Sequence, residues 1–205
     1  ATKNLKRAGY TAAGTKPTSP VDALQQGTVW LNEDAFELIG ADGVDVVIDA
    51  TGDPIAGISH VLAACDAERH IIMVNVEADV LAGPLLAKRA EESGIVYSLA
   101  YGDQPALIIE LVDWAQMAGF DVVCAGKGTK YLPSYHSSTP DTVWQHYGIA
   151  ADVAKCAGMN PKMFNSFIDG TKSTIEMAAV ANATALLPSE NGLSFPPCGR
   201  NVLAE

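Results

Sequence analysis

The sequence predicts an α/β protein: part of a doubly wound parallel sheet, followed by a mainly helical and loop region. Three observations predict it. From Val44 onward, short apolar, β-branched runs alternate with stretches of helical spacing. The helical stretches carry start and stop signals with a mechanism, Asp53-Pro54 at one beginning and Gly94 and Gly119 at two ends. Strand–helix alternation of this kind demands right-handed crossovers, and hence a parallel sheet covered on both faces.

Taken in order, residues 1–20 are polar, with Lys3, Lys6, Arg7 and Lys16 and a small-residue loop from Ala12 to Pro17. Val44 to Thr51, stopped by Gly52, reads as a strand buried on both faces. Asp53 then caps a helix in which Pro54 takes the first position, and Ile55, Ile58, Val61, Leu62 and Cys65 recur at helical spacing. His70 to Val76 is the second strand, and Gly83 to Ser93 the helix after it. Ile95 to Ala100 is the third strand, Pro105 to Ala118 the third helix, and Asp121 to Ala125 a fourth strand. After Gly128 the alternation stops. Lys130 to Pro140 is a long loop rich in hydroxyls and aromatic rings, a type that often carries function. Asp141 to Tyr147 reads as a short helix, and residues 160–187 as a longer one.

Composition narrows the function. The 205 residues hold 13 Lys and Arg against 24 Asp and Glu, a formal charge of −11. Nucleic acid and anionic membranes are poor partners for such a surface, because both need clustered cations. With 48% hydrophobic and 18% charged residues the chain is globular, and no apolar run approaches the ~18 residues of a membrane helix. Cys65, Cys124, Cys156 and Cys198 have neither metal-knuckle nor redox-motif spacing, which reads as reduced thiols in the cytoplasm. No two histidines have zinc-helix spacing, and no G-x-S-x-G elbow occurs.

On a doubly wound sheet, ligands bind at the carboxyl ends of the strands. Those ends carry Asp49, Thr51, Gly52, Asp53, Asn75, Glu77, Asp79, Asp103, Gln104, Lys127 and Lys130 among glycines. Asp53 reads as a helix cap, and Asp103 as either a cap or a functional acid. Glu77, directly after an apolar strand, is a candidate acid or ligand-orienting group. Lys127 and Lys130 flank a glycine-rich turn suited to phosphate, though a solvated turn explains them as well. Asp169, Lys172 and Glu176, at i, i+3 and i+7, share one face if a single helix runs through them; apolar flanks argue for desolvated, functional charges. His136 in the aromatic loop is a candidate acid, His60 and His70 read as structural, and His146 is open. The glycine fingerprint G-x-G-x-x-G of dinucleotide sites is absent. The expectation is therefore a piece lacking its first βαβ unit.

Four runs carry a resemblance: IDATGDPIAGISHVLAAC; HIIMVNVEADVLAGPLLAKRAEESGIVYSLAYGDQPALIIELVDWA; GKGTKYLPSYHSSTPDTVWQHYG; and NPKMFNSFIDGTKSTIEMAAVANAT. They resemble the homoserine-dehydrogenase-like NAD(P)-binding oxidoreductases, and within them the branch of DXR-like reductoisomerases associated with a SAF domain. The resemblance implies a partial Rossmann-like sheet, with residues 1–125 the later portion of an NAD(P)-binding domain and 126–205 an incomplete substrate and catalytic region. It implies NADPH as cofactor, a divalent metal (Mg²⁺ or Mn²⁺), a homodimer, and conversion of 1-deoxy-D-xylulose 5-phosphate to 2-C-methyl-D-erythritol 4-phosphate. Thr51, Gly52, Asn75 and Glu77 match positions beside the nicotinamide ribose. Lys172, Asp169, Glu77, Asp103 and His136 are the expected catalytic set, with Gln104, Lys127 and Lys130 on the substrate. Glu77, Asp103, Asp169 and Glu176 are the pool of metal ligands. The absent phosphate loop and SAF-like region depart from the family pattern. The alternatives are a homoserine-dehydrogenase-type hydroxy-acid or aldehyde enzyme, and a non-catalytic nucleotide-binding domain on the same fold.

Overall fold

The computed structural model describes residues 2–9, 17–199 and 201. Most of the loop expected at 12–17 lies outside them. The chain divides into two compact units, Ala1–Ala100 and Tyr101–Glu205.

The first unit opens with helices α1 (Thr2–Arg7), α2 (Pro20–Gln26) and α3 (Ala35–Ile39). The alternating part follows: β1 (Val46–Asp49), α4 (Pro54–Asp66), β2 (His70–Met73), α5 (Val76–Glu92) and β3 (Tyr97–Leu99). The three strands are parallel and lie in the order β1-β2-β3, with Val47 opposite Ile71 and Ile71 opposite Tyr97. The α/β class and the parallel sheet are as the sequence predicts.

Parallel strands need a crossover, and α4 and α5 supply the two. Both pack on one face of the sheet. Val61, Ala64 and Cys65 of α4 and Ala78, Leu86 and Ala90 of α5 form one core with Ile71, Met73, Val47, Tyr97 and Leu99. Side chains alternate along a strand, so Val46 and Ile48 point to the opposite face. There Ile48 is 66% exposed. The expectation that this first strand is buried on both faces is therefore corrected: among the described residues, helices cover one face only.

Helix α4 begins as predicted. Asp53 accepts the Ala56 N–H at 2.8 Å, and Pro54 follows at the first position. Helix α5 corrects the reading of Gly83 to Ser93, since it starts at Val76. Asn75 makes the difference. Its Oδ1 accepts the Ala78 N–H at 3.3 Å, and Glu77 and Asp79 place negative charge in the first turn, where the helix dipole favours it. Pro84 lies inside this helix rather than ending it.

The second unit holds α6 (Gln104–Met117), a 3-10 turn (Pro133–Ser137), α7 (Val143–Tyr147), α8 (Ala151–Cys156), α9 (Pro161–Ile168) and α10 (Thr171–Thr184). Its core gathers Tyr135, Val143, Trp144, Ala154 and Ile168, with Phe164 packed against them. The fourth strand expected at Asp121 to Ala125 does not form. That stretch has no regular structure and Val123 is 91% exposed. Its β-branched residues favour a strand only where a neighbour pairs with it, and among the described residues none does. The long helix expected over 160–187 is two helices, broken at Asp169-Gly170, where Gly170 takes φ 95°.

Candidate functional site

The end of β1 is a buried polar node. Asp49 is 3% exposed, and its Oδ1 accepts the Thr51 N–H at 2.9 Å and the Thr51 hydroxyl at 2.7 Å. His60 Nδ1 on α4 meets Oδ2 at 2.7 Å. The Asn75 amide donates to Asp49 Oδ1 at 3.3 Å, to Thr51 Oγ1 at 3.1 Å and to the Asp53 carbonyl at 2.8 Å. Burial alone would raise the Asp49 pKa. The bonds from Thr51, His60 and Asn75 outweigh it and hold the carboxyl below its ordinary value. Above this node Thr51, Gly52 and Asp53 are exposed, and Gly52 has φ 68° with open space where a Cβ would stand. Asn75, expected to touch cofactor, is 1% exposed with its side-chain amide engaged inside the protein. Glu77 stands half-buried in the first turn of α5.

A second polar pair lies elsewhere in this unit. The Tyr97 hydroxyl donates to Asp79 Oδ1 at 2.7 Å, and Asp79 is 7% exposed. Here burial wins over the hydrogen bond and raises the Asp79 pKa.

In the second unit the sequence-predicted charges gather around α10. Lys127 forms a hydrogen-bonded ion pair with Glu176, which is 2% exposed. Burial lowers the Lys127 pKa, nearby Asp103 raises it and nearby Lys172 lowers it further, for a net fall. Lys127, Lys172, Asp103 and Glu176 are thus one electrostatic group. Asp103 also caps α6, accepting the Gln104 N–H at 2.9 Å, as its cap reading expects. Gln104 and Lys130 are exposed.

Asp169 does not share a helical face with Lys172 and Glu176. It is the C-cap of α9, accepting from Asn165 Nδ2 at 2.8 Å and from the Thr171 N–H at 2.8 Å. With His136, Gly170, Thr171, Thr174 and Phe195 it lines an open cavity of about 510 Å³. Tyr131 stacks on Phe195 at 4.3 Å and meets His136 edge-on at 5.5 Å. The predicted set therefore resolves within this unit into an ion-pair group on α10 and a cavity at its start.

The expected metal pool does not assemble. Among the described residues no three His, Cys, Asp or Glu side chains are grouped to hold a metal ion. Glu176 is turned to Lys127 and Asp169 to Asn165 and Thr171, so both carboxylates are already committed. What the arrangement can do is different: a partly desolvated ammonium held against a carboxylate can present a proton to a developing alkoxide.

The sequence places Asp49 at a strand end and gives His60 to its helix. The two are eleven positions apart on a strand and a helix, and no motif joins them. A buried-strand acid followed by Thr-Gly was the available signal.

Among the described residues no helix is long and apolar enough to cross a membrane. No curated protein matches the chain significantly. Residues 102–205 match the family described as oxidoreductase DRL, catalytic domain. That match opens at the residues leading into α6 and takes in half of the chain, so the protein belongs to the DRL oxidoreductase family.

Proposed function

We propose that the protein is an NAD(P)H-dependent reductoisomerase-type oxidoreductase acting on a small phosphorylated hydroxy-ketone, of which 1-deoxy-D-xylulose 5-phosphate is the type. Membership of an oxidoreductase family supports the reaction class. The observation that carries the finer reading is Lys127, a lysine of lowered pKa paired with buried Glu176 beside Lys172 and Asp103.

In this reading the exposed Thr51-Gly52-Asp53 turn receives the nicotinamide half of the cofactor, which supplies a hydride when bound. The open space over Gly52 fits a flat group approaching the backbone. Lys127 donates a proton to the carbonyl oxygen as negative charge develops there, and Glu176 fixes the ammonium's direction. Lys172 adds positive charge for the substrate's phosphate or oxyanion. His136, Thr171 and Thr174 supply ring and hydroxyl contacts to a substrate hydroxyl in the cavity. Of the expected metal ligands, Glu176 is turned to Lys127 and Asp169 to Asn165 and Thr171.

The test is NADPH consumption by the full-length enzyme with 1-deoxy-D-xylulose 5-phosphate, run beside homoserine with NADP⁺. Turnover with the sugar phosphate is expected, and Lys172→Ala should lower kcat by about 100-fold with the fold intact. Turnover with homoserine alone would move the substrate to the hydroxy-acid class. No turnover with either would leave nucleotide binding without this chemistry.

A further inference from the structure

We infer that Asp49, His60 and Asn75 are positioning residues that hold the Thr51-Gly52-Asp53 turn ready for the nicotinamide half of the cofactor, and that this turn refuses phosphate. The inference rests on the reading of that turn as a cofactor contact.

The geometry is that of a braced tip. Thr51 and Gly52 are exposed, yet the Asp49 carboxylate and the Asn75 amide beneath them are both paired inward. Asp49 holds Thr51 by both its N–H and its hydroxyl. His60 fixes the other carboxylate oxygen, and since a carboxylate only accepts, His60 carries its proton on Nδ1. Asn75 ties Thr51 Oγ1 and the Asp53 carbonyl to the end of β2, and the Val74 and Asn75 N–H groups both donate to the Asp49 carbonyl. Helix α4 approaches so closely that a Cβ on Gly57 would lie 2.5 Å from Asn75 Nδ2. Ordering an exposed turn costs entropy, and a turn ordered before binding spares the ligand that cost.

The chemistry of the tip selects the ligand. An unblocked helix N-terminus would attract phosphate. At α4, however, the Asp53 carboxylate accepts the Ala56 N–H and sets negative charge at that end. Anions are repelled and hydroxyl or carboxamide donors are favoured, which describes the ribosyl-nicotinamide side of the cofactor rather than its pyrophosphate.

The experiment titrates full-length protein with NADPH and, separately, with 2′,5′-ADP, which lacks the nicotinamide half. His60→Leu removes the brace. His60→Asn restores a donor near the place of Nδ1. Val61→Ala, next along α4 and fully buried, lowers stability without touching the node. The expected result is NADPH affinity weakened about tenfold in His60→Leu, about 1.4 kcal/mol, with 2′,5′-ADP affinity unchanged. His60→Asn should bind NADPH nearly as the wild type does, as should Val61→Ala despite its lower melting temperature. In steady-state assays the His60→Leu effect should appear in the KM for NADPH before it appears in kcat. Unchanged NADPH binding in His60→Leu overturns the inference, and so does equal weakening toward 2′,5′-ADP or in Val61→Ala. Wild-type protein that binds 2′,5′-ADP but gains nothing from the nicotinamide half overturns the underlying cofactor reading instead, and the inference with it.

Discussion

Lys127 and Asp79 are both partly buried charges, yet their environments push them in opposite functional directions. Burial lowers the Lys127 pKa, so its proton is more readily given than that of an ordinary lysine. As a proton donor it is competent below its folded pKa and fails above it. The rate of carbonyl reduction should therefore decline with rising pH through a value below 10.5, the ordinary lysine pKa. Lys127→Met should remove that limb and lower kcat by about 100-fold. A pH–rate profile of the variant that keeps the limb would assign it to another group. Asp79 has a raised folded pKa, so its ionised form is the costly one. Its contribution is best at low pH and is lost as pH rises from the unfolded value of 3.8 through the folded one. Asp79→Asn should thus leave stability unchanged or improved at pH 7, since the amide oxygen still accepts from Tyr97. Asp79→Ala strands the Tyr97 hydroxyl and should cost about 1–3 kcal/mol in urea unfolding. The apolar flanks of Glu176 signal its burial in the sequence, but neither pairing is legible there. Asp79 and Tyr97 belong to different elements, and Lys127 meets Glu176 only through the packing of α10.

At the level of the element, what was legible was local chemistry. Asp53-Pro54 and Asp103-Gln104-Pro105 start helices through bonds within three residues, and both starts stand. Asn75 works by the same rule at α5, but it follows directly on an apolar strand, so in the sequence it reads as the strand's continuation and the helix reads as starting only at Gly83. The fourth strand failed for the opposite reason: Val122 and Val123 have strand propensity, but pairing is a long-range property that one segment cannot supply. Where α4 meets α5, Gly57 is the element-scale constraint. A Cβ there would lie 2.7 Å from Ala78 Cβ as well as against Asn75. Alanine is the better helix former by about 1 kcal/mol, yet Gly57→Ala should destabilise the protein by about 1–3 kcal/mol, because the two helices must part. Urea unfolding decides it, and a gain in stability would mean that the contact yields without cost.

Across the whole molecule, 24 acidic residues face 13 basic ones, a net charge of −11. Two effects of salt then compete. Screening weakens repulsion among surface carboxylates, which favours the folded state, and it weakens attractive pairs, which does not. The exposed pairs are few among the described residues: Arg89 reaches Asp66 at 3.7 Å and Glu92 at 3.8 Å, both in solvent and of small worth. The pair that matters, Lys127 with Glu176, is shielded by burial and responds little to salt. Repulsion is left as the salt-sensitive term. Between about 0.01 M and about 0.1 M NaCl the screening length falls from about 30 Å to about 10 Å, the range over which surface charges on a chain this size stop sensing one another. The melting temperature at pH 7 should rise across that interval and level off above it. A steady fall would mean that attraction among surface charges outweighs the repulsion of a net charge of −11.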